Sequence, residues 1–166
     1  MNMLQKCVRI FQEVAGYPVK EKPIKNKDLL KIIETPKGKQ TVKEYLITRL
    51  SWKEEEVKEL RKAIEENDVI EIVDALVDLL YFVFGTGCTI GVDLEEVFHV
   101  IHNNNMSKFT KCENCNGKGT VGSFICSVCN GYGIKGKYRK RDGKLMKPAT
   151  WTPPNIGKKL EELRNG

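Results

Sequence analysis

Glu55-Glu56-Val57-Lys58-Glu59, followed by Glu71-Ile72-Val73-Asp74-Ala75-Leu76-Val77-Asp78, sets six carboxylates at helical spacing on two successive segments. Residues three or four apart share a helix face. Glu55 and Glu56 therefore each project alongside Glu59. Glu71, Asp74 and Asp78 fall within an arc of roughly 60° at about 100° per residue. The second segment is otherwise apolar nearly all round, from Val69 to Val83, a composition that predicts a mostly buried helix. Acids along one stripe of a buried helix repel one another and lose hydration. No lysine lies on that stripe, and divalent cations with a taste for oxygen ligands, Mg²⁺ above all, compensate such a set best.

Working outward, the first acidic run belongs to a long helix over Thr41–Glu66, with Thr41 and Glu44 placed as a capping box. Asn67 ends it. The next helix starts at or near Asp68 and runs to about Phe84, where Gly85, Gly87 and Gly91 read as a loop or a loosened end. The short link at Asn67 makes the two helices antiparallel neighbours, which lets their carboxylates converge. Met1–Ala15 reads as an amphipathic helix, Lys27–Ile33 as a short one before a Pro36–Gly38 turn, and Asp93–Met106 as a capped helix. Nothing before residue 110 reads clearly as a strand. Cys7 and Cys88 stand in apolar helical patterns as buried thiols.

Residues 111–136 change character, with much Cys, Gly and Asn and few large apolar groups. Such a segment needs a staple. Cys112-x-x-Cys115 and Cys126-x-x-Cys129 form an internal repeat, each followed by Asn-Gly-x-Gly. Two such hairpins can place four thiolates tetrahedrally around structural Zn²⁺. The repeat resembles half of the CxxCxGxG region of DnaJ chaperones, yet the chain carries no His-Pro-Asp J-domain motif. Beyond it lie a basic stretch over Lys137–Lys147 with an Asp142-Gly143 turn, the extended Trp151-Thr-Pro-Pro154, and a final short helix over Lys158–Arg164.

The chain has 166 residues and a net charge of +6. Lys111–Gly166 holds twelve basic and four acidic residues, or +8, which leaves −2 on Met1–Thr110. Such asymmetry suits a basic half facing an anion, or simply a solvated basic tail. The apolar run Val69–Val92 carries Glu71, Asp74 and Asp78, which argues against a membrane span. A cytoplasmic protein without a signal peptide is the expectation.

These residues resemble a known family. Glu55-Glu56-x-x-Glu59 with Glu71-x-x-Asp74 looks like the EExxE…ExxD signature of the all-alpha nucleotide pyrophosphohydrolases, the superfamily of MazG proteins, dimeric dUTPases and phosphoribosyl-ATP pyrophosphohydrolases. Asp74-Ala-Leu-x-Asp-Leu-Leu-Tyr81, Gly85, Gly91-x-Asp93, His102-x-x-Asn-Met-Ser-Lys108, Tyr138-Arg-x-x-Asp142-Gly-Lys144-x-x-Lys147 and Trp151-Thr-Pro-Pro154 resemble its phosphoribosyl-ATP branch. Phe11, Gly16, Pro18 and Arg49 also fit. Gln12 and Asn155 depart from it, where the family often has His and Asp.

The resemblance implies an all-α antiparallel helical bundle with a zinc-knuckle insertion. We read residues 1–110 as a helical catalytic core, 111–136 as the knuckle and 137–166 as a basic segment completing the active site. It further implies hydrolysis of a (deoxy)nucleoside triphosphate to the monophosphate and pyrophosphate. Glu56, Glu59, Glu71 and Asp74 would hold Mg²⁺, and Glu55 or Asp78 would orient the attacking water or complete the metal shell. Asn105, Lys108, Arg139, Lys144 and Lys147 would meet the substrate. His102 has a packing reading beside a chemical one, and Tyr81 a core reading beside a base-pocket one. A homodimer or homotetramer is implied. The competing reading is a zinc-knuckle nucleic-acid-binding or regulatory protein with an inactive helical domain; nucleic acid is the less favoured partner.

Overall fold

A capping box starts the longest helix. In the computed structural model, which describes residues 1–166, Thr41 Oγ1 accepts from Glu44 N at 3.2 Å and Glu44 Oε2 accepts from Thr41 N at 2.7 Å. The helix so begun, Val42–Glu66, ends where Asn67 adopts a left-handed conformation (φ 58°). Asp68 then accepts from Ile70 N and Glu71 N and opens the next helix, Val69–Ile90. A two-residue link returns the chain antiparallel along its predecessor, as the sequence implies.

In chain order, α1 is Met3–Val14, a 3₁₀ turn covers Asn26–Leu30, β1 is Ile32–Thr35 and β2 is Gly38–Thr41. Then α2 is Val42–Glu66, α3 Val69–Ile90 and α4 Leu94–Met106; β3–β6 are two-residue strands in the cysteine segment, and α5 is Ile156–Asn165. Five α-helices and a few short strands fit the expected all-α bundle with a small cysteine cluster. No helix is long and apolar enough to cross a membrane. Two units form: Met1–Val97 with Gly157–Gly166, and Phe98–Ile156.

Within the helical unit, α3 packs along both α1 and α2. The contacts are unusually polar. Gln5 is fully buried, donating to Val92 O at 2.8 Å and accepting from Leu94 N at 3.0 Å, so α1 fixes the start of α4. The segment before the 3₁₀ turn runs along the end of α3 through Lys20 N to Cys88 O and Ile24 N to Ile90 O. Arg164 of α5 donates to Pro23 O and Ile24 O.

Several expectations fail here for identifiable reasons. A β-hairpin precedes α2: Ile32–Thr35 pairs antiparallel with Gly38–Thr41, so the segment expected as a helix over Lys27–Ile33 is one 3₁₀ turn and a strand. Gly85 and Gly87 do not loosen α3, which continues to Ile90. They admit neighbours instead. A Cβ on Gly85 would lie 2.2 Å from Arg49 Nη2, and one on Gly87 would lie 2.8 Å from Leu94 Cγ. Cys7 is exposed, so of the two lone cysteines Cys88 alone is a buried thiol.

The largest departure is α3 itself. It is not mostly buried: Val69, Ile70, Val73, Leu76, Val77, Leu80 and Val83 are 42–79 % exposed. One chain supplies neighbours for only part of the helix. Its acids Glu71, Asp74 and Asp78 are exposed as well.

Candidate functional site

Glu56 is the shielded member of the acidic set, half-buried, with Oε2 out of contact with solvent and without a hydrogen-bond partner. Burial raises its carboxyl above the ordinary range, and the charges of Glu59, Asp78, Asp74 and Glu55 push it the same way. The α2 and α3 carboxylates therefore share one neighbourhood around Glu56. Glu55 and Glu59 sit there on α2, Asp74 and Asp78 on α3. Glu71 lies one turn before Asp74 and lines with it an open groove of about 600 Å³ among Val69, Ile70, Val73 and Val77. The crowding is milder than a buried helix would impose, because every acid but Glu56 reaches solvent.

One turn before Glu56, α2 carries a cationic and aromatic section that the sequence reading touched only at Arg49. Arg49 is 3 % exposed, donating to Thr86 Oγ1 at 3.1 Å, Tyr45 Oη at 3.3 Å and Phe82 O at 3.3 Å. Its guanidinium also sits against the Tyr45 and Trp52 rings. Lys53, half-buried, donates to Thr86 Oγ1 at 2.7 Å; burial and the Arg49 charge lower its pKa. A lysine inside an acid-rich run reads as a solvated face, which is why Lys53 was missed. Tyr81 is half-buried, edge-on to Phe11 at 5.4 Å.

The other sequence-chosen residues lie in the second unit. Lys108 Nζ donates to Asn105 Oδ1. Arg139 pairs with Asp142, whose carboxylate falls below its ordinary pKa through that contact. Lys147 Nζ stands 3.8 Å from the Trp151 ring centroid, and Lys144 is exposed. Asp142-Gly143 closes the expected turn, with Arg139 N bonding Lys144 O and Met146 N bonding Lys137 O. Asn104 holds Trp151-Thr152 through Nδ2 to Thr152 O at 2.6 Å and O to Trp151 Nε1 at 3.3 Å. His102 stacks on Phe98.

The four cysteines form the buried core of this second unit. Their sulfurs all lie within 4.8 Å of one another, with 3.6 Å between Cys115 and Cys129 and 4.0 Å between Cys112 and Cys126. Bonds of about 2.3 Å to a tetrahedral Zn²⁺ require edges of about 3.8 Å. The arrangement is compatible with zinc.

The repeat in sequence becomes a near two-fold in space. Gly119 N donates to Cys115 Sγ and Gly133 N to Cys129 Sγ, each at 3.3 Å. Cys112 N bonds Gly133 O and Cys126 N bonds Gly119 O, each at 2.9 Å. Asn114 Nδ2 donates to Cys126 Sγ at 3.2 Å and lowers that thiol to about 6, while burial pushes the Cys129 thiol up to about 11. Gly119 and Gly133 have positive φ, and a Cβ on either would lie 2.2 or 2.4 Å from the carbonyl oxygen of Gly131 or Gly117.

Residues 27–105 match the family model described as phosphoribosyl-ATP pyrophosphohydrolase. The match takes in most of the 3₁₀ turn, the hairpin, α2, α3 and nearly all of α4, hence all six carboxylates, and stops before the paired cysteines. It is just under half of the chain. Over that stretch the chain is similar to the all-alpha nucleotide pyrophosphohydrolases. Over 56 residues the chain is 46 % identical to an uncharacterized protein of Acanthamoeba polyphaga mimivirus; the similar stretch is 34 % of this chain and 21 % of the viral protein. The match thus spans about a fifth of that relative's length.

Proposed function

We propose that the protein is a Mg²⁺-dependent pyrophosphohydrolase that converts a (deoxy)nucleoside triphosphate to the monophosphate and pyrophosphate. One observation carries the reading: the orphaned Glu56 oxygen, surrounded by like charges from two antiparallel helices, inside the family-matched stretch. A buried carboxylate oxygen with no donor, among other carboxylates, fits a hard divalent cation. Glu56, Glu59, Glu71 and Asp74 would hold it. Glu71 takes its place in that set from the motif and from the groove it lines with Asp74. A Mg²⁺ held by these residues would supply neutralisation of phosphate charge and a lowered pKa for a water. Glu55 or Asp78 orients the attacking water as hydrogen-bond acceptor. Asn105, Lys108, Lys144 and Lys147, with Arg139 in a lesser part, bind the triphosphate as cations and donors.

We further propose a homodimer or homotetramer in which the open α3 face meets another copy. The exposed run from Val69 to Val83 supports this, because such an apolar face in water is costly at about 25 cal/mol per Å². Zn²⁺ on Cys112, Cys115, Cys126 and Cys129 is structural, as four thiolates leave no open position.

The test is pyrophosphate release from a panel of ribo-, deoxyribo- and modified triphosphates plus phosphoribosyl-ATP, with and without Mg²⁺. Turnover of one of these that vanishes on chelation is expected. Metal-independent release, or none from the whole panel, would defeat the proposal.

A further inference from the structure

We infer that the cysteine module carries a binding site for single-stranded nucleic acid, centred on Tyr132, Tyr138 and Lys135. This goes beyond nucleotide hydrolysis and needs none of the α2 and α3 carboxylates.

Charge comes first. Phe98–Ile156 holds ten basic and two acidic residues, a net of +8. Four thiolates around a zinc ion would reduce this to +6, still a dense positive field on a small unit. One of the two acids, Asp142, is occupied by Arg139. A field of this sign draws a polyanion.

Shape and exposure come second. Tyr132 is 81 % exposed and Tyr138 60 %, although rings of this size ordinarily bury most of their surface. Both line a groove of about 450 Å³ together with Met106, Phe109, Val128 and Ile134. That volume falls in the range of roughly 300–1,000 Å³ typical of small-ligand sites. A second groove of about 280 Å³ shares Val128, Lys135 and Gly136 with the first and adds Lys111, Lys137 and Glu113. Rings beside a basic track are what an unpaired strand needs: bases stack on the tyrosines while lysines follow the phosphates. A duplex hides its base faces and cannot use the rings.

The module is held by its four sulfurs and by backbone bonds, to which Tyr132 (N to Cys129 O) and Lys135 (paired with Thr110) contribute main chain only, while their side chains stay exposed. Both exposed rings would be covered by a ligand that stacks on them.

The test uses the full-length, zinc-loaded protein without Mg²⁺ and labelled oligothymidylate and oligouridylate of about twenty nucleotides, read by fluorescence anisotropy across a salt series. Binding should weaken with salt at a log–log slope of about −0.7 per phosphate contacted. Tyr132→Ala and Lys135→Glu should each weaken it by roughly tenfold, and Tyr132→Phe should restore it, since the ring and not the hydroxyl stacks. Zinc content should stay unchanged in all three. A Glu59→Gln variant should bind the strand like the parent, so failure of the hydrolase reading and failure of this one are separable. The inference is overturned by absent binding at low salt, by duplex binding as tight as single-strand binding, or by undiminished binding in both weakening variants. It is also overturned if an acidic polypeptide competes as well as the oligonucleotide at equal charge, which would assign the groove to a protein partner.

Discussion

The helical unit and the cysteine module solve the same problem by opposite means. In the first, long helices are set by capping residues and held by α1–α3 and α2–α3 packing around buried polar anchors such as Gln5 and Arg49. In the second, the buried residues that form the core are four cysteines, and the strands are two residues long. Apolar area stabilises the one by many small increments; metal coordination by the four thiolates would stabilise the other by a single large one. The units should therefore fail independently, and at different insults.

The sharpest break is metal removal. Stripping zinc with a strong chelator, or Cys112→Ser, should unfold the module while most helical circular dichroism persists, because structural zinc contributes about 10–16 kcal/mol of apparent free energy in small modules. Unchanged zinc stoichiometry in Cys112→Ser would contradict the four-thiolate site. Gly119→Ala should come close behind. Its Cβ would meet the Gly131 carbonyl oxygen at 2.2 Å, and the backbone there has φ +76°; zinc retention after dialysis reads the effect.

In the helical unit, Glu59→Gln and Asp74→Asn should abolish pyrophosphate release with little change in melting temperature. Full activity in both would remove the carboxylate site from consideration. Leu76→Asp on the exposed α3 face should shift the protein toward monomer by sedimentation, with the module's zinc content unaltered. An unshifted oligomer would place the subunit interface elsewhere.

The smallest effects concern the cap of α2. Thr41→Ala should cost about 1 kcal/mol in denaturant melts. Glu44→Gln should cost less. The Thr41 backbone N–H holds the Glu44 carboxyl below its ordinary range, so this contribution is present above the unfolded-state pKa and lost as pH falls through the lowered folded value. The gap between parent and Glu44→Gln should accordingly close in acid; a gap that widened would reverse the assignment.

The local signals in the sequence were read well where they depended on neighbours along the chain. Thr41 with Glu44, Asn67 and Asp68 gave the ends of α2 and the start of α3, and the Asn-Gly-x-Gly repeats gave the cysteine hairpins. The β1–β2 hairpin was missed although its turn was seen, because four-residue strands of mixed polarity carry little periodicity. Gly85 and Gly87 were misread because a glycine that breaks a helix and one that admits a neighbour look alike in one dimension. Lys53 was hidden in an acidic run, and its half-burial beside Thr86 exists only once α2 lies on α3.

By itself, then, the sequence determined the helical class, the helix caps, the cysteine quartet and the acids able to face one another, because each follows from spacing along the backbone. Only the tertiary structure decided that Glu56 alone among those acids is shielded, that Arg49 is buried among rings and hydroxyls, and that an apolar face of α3 stays open. Burial is a property of what packs against a residue, and that depends on partners distant in the chain.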